Sequence, residues 1–95
     1  MESVMQIKDI EWSVDSCSDL DNILYKYNFN GQRITVLDRL TGYGYGVRDI
    51  ETGYRDEEGN FWLASGGFDI RDYPELSREE AILKIRQNAN TCVGE

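Results

Sequence analysis

The sequence predicts an α+β domain, an antiparallel sheet of about four to five strands built from two hairpins and packed by one C-terminal helix. Three observations carry this. An alternating apolar run on each side of Asn30-Gly31 has the period of a strand and the chemistry of a tight turn. A second pair of such runs flanks the polar segment Arg55–Asn60. Ser77 followed three residues later by Glu80 is a capping box that opens a run of helical spacing.

Taken in order, Ile10, Trp12 and Val14 alternate with Glu11 and Ser13 and predict a half-buried strand. Met5 and Ile7 fall on the opposite parity, which predicts a bulge or break near Lys8-Asp9. Residues 15–21 read as a polar loop or a single helical turn. In the first hairpin, a two-residue loop at Asn30-Gly31 sets Tyr27 opposite Ile34 and Tyr25 opposite Val36 on one face. The same register puts Leu24 opposite Leu37 on the other face, with Lys26 and Asn28 facing Thr35 and Arg33. Pattern and turn agree on that register.

Three glycines alternate in Gly42-Tyr43-Gly44-Tyr45-Gly46, which predicts a loop or a distorted strand end. Val47–Tyr54 and Phe61–Ala64 form the second hairpin. Ser65-Gly66-Gly67 breaks it, and Phe68-Asp69-Ile70 resumes as a short edge segment. In the helix, Leu76 and Ala81 supply a hydrophobic staple, and Ala81, Ile82, Ile85 and Ala89 form one apolar stripe. Glu79 and Glu80 sit at its start and Lys84 and Arg86 further on, as the helix dipole prefers.

The 95 residues make a single small acidic domain spanning 1–95, with no internal repeat or linker. Net charge is −8, from 10 basic and 18 acidic side chains. That balance opposes direct binding to nucleic acid or anionic lipid unless a basic patch is segregated. The basic stretch is the first hairpin region, through Lys26, Arg33, Arg39 and Arg48. Tyr25, Tyr27, Arg33 and Arg39 are the set that would stack single-stranded nucleic acid, a reading that the overall charge disfavours. Nothing near the N-terminus resembles a signal peptide, and no run reaches membrane-spanning length. Cys17 and Cys92 then read as reduced thiols of a cytoplasmic protein, with pairing of the two left open.

Histidine is absent. The usual neutral-pH general base is missing, as are Ser–His and Cys–His nucleophile pairs and His-containing zinc sites. The acidic turn at Asp56-Glu57-Glu58 lacks the ligand spacing of a calcium loop, and Gly42–Gly46 lacks the Lys-Ser/Thr of a phosphate loop. The expectation is therefore no enzyme, no catalytic residue, no metal and no cofactor.

What remains is a non-enzymatic interaction or inhibitor domain whose partner is a protein with a basic surface, with no membrane involved. Tyr43 and Tyr45 would anchor the contact, since tyrosine buries area at low entropy cost. Asp49, Glu51, Asp56, Glu57, Glu58, Asp69, Asp72 and Glu75 would supply the acidic face. In the extreme form those carboxylates imitate a phosphate backbone and block a nucleic-acid-binding groove. Small phage-encoded inhibitors of host defence share that size and charge, an analogy with no motif behind it. The alternative is a small-ligand module, assembled at a homo-oligomer interface, that uses Gly42–Gly46, Ser65-Gly66-Gly67 and the two loop tyrosines.

Overall fold

The computed structural model describes residues 5–16, 22–40 and 48–93. They form one six-stranded antiparallel sheet in the order of the chain. Its strands are β1 (Ser13–Ser16), β2 (Asn22–Phe29), β3 (Gln32–Leu40), β4 (Arg48–Arg55), β5 (Phe61–Ala64) and β6 (Thr91–Val93). One helix, α1 (Arg78–Asn88), lies between β5 and β6.

The β2–β3 hairpin has the expected register, with Tyr27 opposite Ile34, Tyr25 opposite Val36 and Leu24 opposite Leu37. Asn30 and Gly31 adopt φ of 47° and 77°, the two left-handed positions that a type I′ turn requires. At the N-terminus of α1, Ser77 Oγ accepts the Glu80 amide at 3.1 Å and Glu80 Oε1 accepts the Ser77 amide at 2.8 Å. The capping box is closed in both directions.

The alternation of each strand splits the sheet into two unequal faces. One carries Tyr25, Tyr27, Ile34, Val36, Thr52, Tyr54, Trp62 and Ala64, and receives Ala81 and Ile85 of α1. Ile7, Ile10 and Ile70 complete this core from two short 3-10 turns, Ile7–Asp9 and Ile70–Asp72. The other face carries Leu24, Lys26, Arg33, Thr35, Leu37, Arg39, Glu51, Gly53, Arg55, Phe61 and Leu63. Among the described residues, the core side chains contributed by α1 and the two 3-10 turns all pack against the first face and leave this one uncovered.

Three expectations are corrected. The first strand begins at Ser13, and the segment before it is a 3-10 turn. There the amides of Ile7 and Lys8 go to the carbonyls of Leu76 and Pro74, at 2.8 and 3.1 Å, and are unavailable to a sheet. A 3-10 turn has three residues per turn, so Ile7 and Ile10 reach the same core despite their strand-wise opposite parity. Second, Phe68-Asp69-Ile70 is no edge strand. Asp69 caps the second 3-10 turn by accepting the Arg71 amide at 2.8 Å, and Thr52 Oγ1 donates to Phe68 O and accepts from Ile70 N. Third, the sheet has a sixth strand. Thr91–Val93 pairs antiparallel with β5, led in by a hydrogen bond from Asn90 N to Leu63 O at 2.9 Å.

Candidate functional site

The acidic residues singled out from the sequence do not form one row. Asp49 and Glu51 stand on the uncovered face, where Arg39 Nη2 donates to both, at 3.0 and 2.7 Å. Those two hydrogen bonds and the nearby carboxylates raise the Arg39 pKa above its ordinary value. Asp56 lies just beyond the far end of that strand, about 24 Å from Asp49 for seven residues of extended chain.

Asp56 is the organiser of the β4–β5 turn. It accepts from Glu58 N at 3.0 Å, Asn60 N at 2.8 Å, Asn60 Nδ2 at 3.2 Å and Trp62 Nε1 at 3.4 Å. Desolvation pushes its pKa up, but the bonds from Asn60, Trp62 and Glu58 outweigh that and hold it below the ordinary carboxylate value. A depressed folded pKa contributes stability that is present above the unfolded value of about 3.9 and is lost as pH falls through the folded value. Asp56→Ala should therefore cost about 1–2 kcal/mol at neutral pH. The difference from the parent should shrink below about pH 3.9, as denaturant titrations at several pH values would show. Glu57 and Glu58 are exposed in that turn and remain available.

Asp69 leaves the candidate surface altogether. It is 7% exposed and its carboxylate is bound by Arg71 Nε and Nη2, so it is part of the fold. Asp72 and Glu75 are exposed, and the fold brings them beside acids that sequence spacing did not connect with them. Gln6 bridges to Ser77, Gln6 Nε2 donates to Glu75 O at 3.1 Å, and Arg78 N donates to Met5 O at 3.1 Å. Segments 5–11 and 72–80 thus lie side by side, although 69 residues separate Gln6 from Glu75. Together they expose Asp9, Glu11, Asp72, Glu75, Glu79 and Glu80.

Against those six stand three cations: Lys8, 3.6 Å from Glu75; Arg78, which pairs with Glu79 and lies 4.4 Å from the Phe29 ring centroid; and Lys84, whose Nζ is 4.5 Å from the Tyr73 ring centroid. Arg71 is committed to Asp69. The balance on this side is acidic, with twice as many carboxylates as opposing cations. Asp9, Glu11, Glu79 and Glu80 were legible only as local features: a strand break, an alternating position and a helix start.

The uncovered sheet face has the opposite balance, with the cations Lys26, Arg33, Arg39 and Arg55 against the anions Asp15, Asp49 and Glu51. The stacking set for single-stranded nucleic acid does not assemble. Tyr25 and Tyr27 are on the covered face and Arg33 and Arg39 on the other. Arg71 lies 4.4 Å from the Tyr25 ring centroid, and Tyr27 is flanked by Trp12 and Phe29 at 6.3 and 5.2 Å. Phe61 and Trp62 also divide between the faces: Arg86 of α1 covers Trp62, while Phe61 lies beside Gly53 on the open side. Tyr43, Tyr45 and the Gly42–Gly46 stretch lie outside the described residues.

Cys92 is exposed on β6 and has no disulfide partner among the described residues. No helix among the described residues is long and apolar enough to cross a membrane. Among those residues no group of three or more His, Cys, Asp or Glu side chains is arranged to hold a metal ion. No family model, curated protein or solved structure matches the chain.

Proposed function

We propose that the chain is a non-enzymatic interaction domain whose acidic side docks on the basic surface of a protein partner and blocks or adapts it. The observation that carries this reading is the convergence of segments 5–11 and 72–80. Six exposed carboxylates share one side there, on backbone that is cross-linked by hydrogen bonds and capped at the start of α1. Preformed charge of one sign steers encounter with an oppositely charged partner and sets register. Exposed Glu57 and Glu58, together with Tyr43 and Tyr45, are candidates to extend the contact.

Co-purification from a cell lysate, washed at low and at high salt, tests this with an Asp72→Lys/Glu75→Lys variant beside the parent. One stoichiometric basic protein should be retained by the parent, released by salt and absent from the variant. Retention that is indifferent to salt, or equal in parent and variant, would sink the proposal.

A further inference from the structure

The geometry points to a binding site for a small phosphate monoester on the uncovered face of the sheet, between Arg33 and Arg55 beside the Asn30-Gly31 turn. This site is on the opposite face from the proposed acidic docking side and does not depend on it. Arg33 of β3 and Arg55 of β4 are direct cross-strand partners. Partners of this kind have Cα atoms about 4.5–5.5 Å apart, and like charges placed so destabilise a sheet. Arg39, on the same face, shows the ordinary remedy, since two carboxylates flank it. Neither Arg33 nor Arg55 forms an ion pair among the described residues.

The surroundings hold one of the two guanidinium groups in place and leave room in front of both. Arg55 Nη1 donates to Gly59 O at 3.1 Å, and its guanidinium lies 5.4 Å from the Phe61 ring centroid. Phe61 in turn is pressed against Gly53, where a Cβ would stand 2.8 Å from its Cζ and 2.8 Å from Thr35 Oγ1. The missing side chain at Gly53 thus allows Phe61 and Thr35 to close together beneath the two arginines. Two adjoining clefts share Arg33 and Arg55 as walls. One, of about 290 Å³, is lined by residues 28–33 and Arg55, and the other, of about 80 Å³, adds Thr35 and Phe61.

Charge selects the ligand class. A carboxylate cancels one of the two cations, whereas a phosphate monoester carries about −1.5 to −2 at neutral pH and can accept from both forks. The Asn28 amide, across the strand pair from Arg33, and the Thr35 hydroxyl stand at the same clefts as further donors.

Titration of the isotopically labelled protein at fixed ionic strength with phenyl phosphate, inorganic phosphate and benzoate tests this. The backbone and arginine Nε–H resonances would be followed. Phenyl phosphate should give saturable shifts at Arg33, Arg55 and Thr35. Arg33→Gln should weaken it by about tenfold, the loss of one charge-assisted contact, while Lys8→Gln on the opposite side leaves it unchanged. Benzoate binding as tightly as phenyl phosphate would overturn the charge match, and binding of inorganic phosphate alone would overturn the monoester. Equal weakening by Arg33→Gln and Lys8→Gln, or shifts spread over all surface cations, would overturn the site itself.

Discussion

Replacing Thr52 by valine is expected to lower the free energy of unfolding by about 2–4 kcal/mol, although the two side chains have nearly the same shape. Thr52 is fully buried in the middle of β4. Its Oγ1 donates to Phe68 O at 2.8 Å and accepts from Ile70 N at 3.1 Å. Both backbone groups belong to the segment between β5 and α1, which has no strand partner to satisfy them. Valine keeps the β4 ladder and the packing but leaves a carbonyl and an amide unpaired, each at about 1–3 kcal/mol. Thr52→Ser separates the causes. It keeps the hydroxyl and loses one methyl group, worth about 1 kcal/mol. Denaturant midpoints for the two variants, with hydrogen exchange at the Ile70 amide, measure this. A valine variant no less stable than the serine one would show that the hydroxyl does not hold the segment.

The same residue shows where reading the sequence stops. In the β2–β3 hairpin each local signal agrees with its neighbours: alternation gives the faces, and Asn30-Gly31 sets the register. The capping box of α1 is likewise contained within four residues. These features depend on groups close in the chain, and they were legible. Thr52 is one polar residue in an alternating run, and nothing nearby announces that its hydroxyl replaces a strand partner for residues 68–70. β6 is illegible for a related reason. Its three residues are all exposed, so no alternation marks them, and their pairing depends on Asn90 reaching β5, where its side-chain oxygen accepts from Ser65 N and Oγ at 3.4 and 3.2 Å.

The acidic side follows the same rule. Composition tells that carboxylates are in surplus, but not which of them meet. Asp72 and Glu75 were singled out beside Asp49 and Glu51, yet the sheet sends the latter pair to the opposite face, where Arg39 binds them. The segment that lies beside them, which carries Asp9 and Glu11, comes from a distant part of the chain through the bonds at Gln6 and Met5. Arg33 and Arg55 are also apart in sequence and meet only because β3 and β4 pair in this register. A surface assembled from segments far apart in sequence is invisible until the topology is known.

Removing the Asp69 carboxylate should cost about 2–4 kcal/mol, and here the reason is charge burial. Arg71 donates to it from its amide at 2.8 Å, from Nε at 2.9 and 3.2 Å and from Nη2 at 2.8 Å. Those side-chain bonds raise the Arg71 pKa despite the opposing desolvation. The guanidinium, its side chain 27% exposed, is confined between Asp69 and the Tyr25 ring. Asp69→Ala leaves that cation partly buried without its anion and uncaps the 3-10 turn that carries Ile70 into the core. Asp69→Asn keeps Oδ1 as the acceptor for the Arg71 amide, but it removes the charge and turns an NH2 donor toward Arg71 Nη2, so its cost should approach that of the alanine variant. An Asp69→Ala/Arg71→Met double variant should recover part of the loss, because neither ion is then buried alone. If the double variant were as unstable as the sum of its single changes, the ion pair would not be what holds the turn. Partner retention distinguishes this acid from its neighbours: Asp69→Asn should keep the salt-sensitive binding that Asp72→Lys/Glu75→Lys loses, since Asp69 faces Arg71 and has no lone pair to offer a partner.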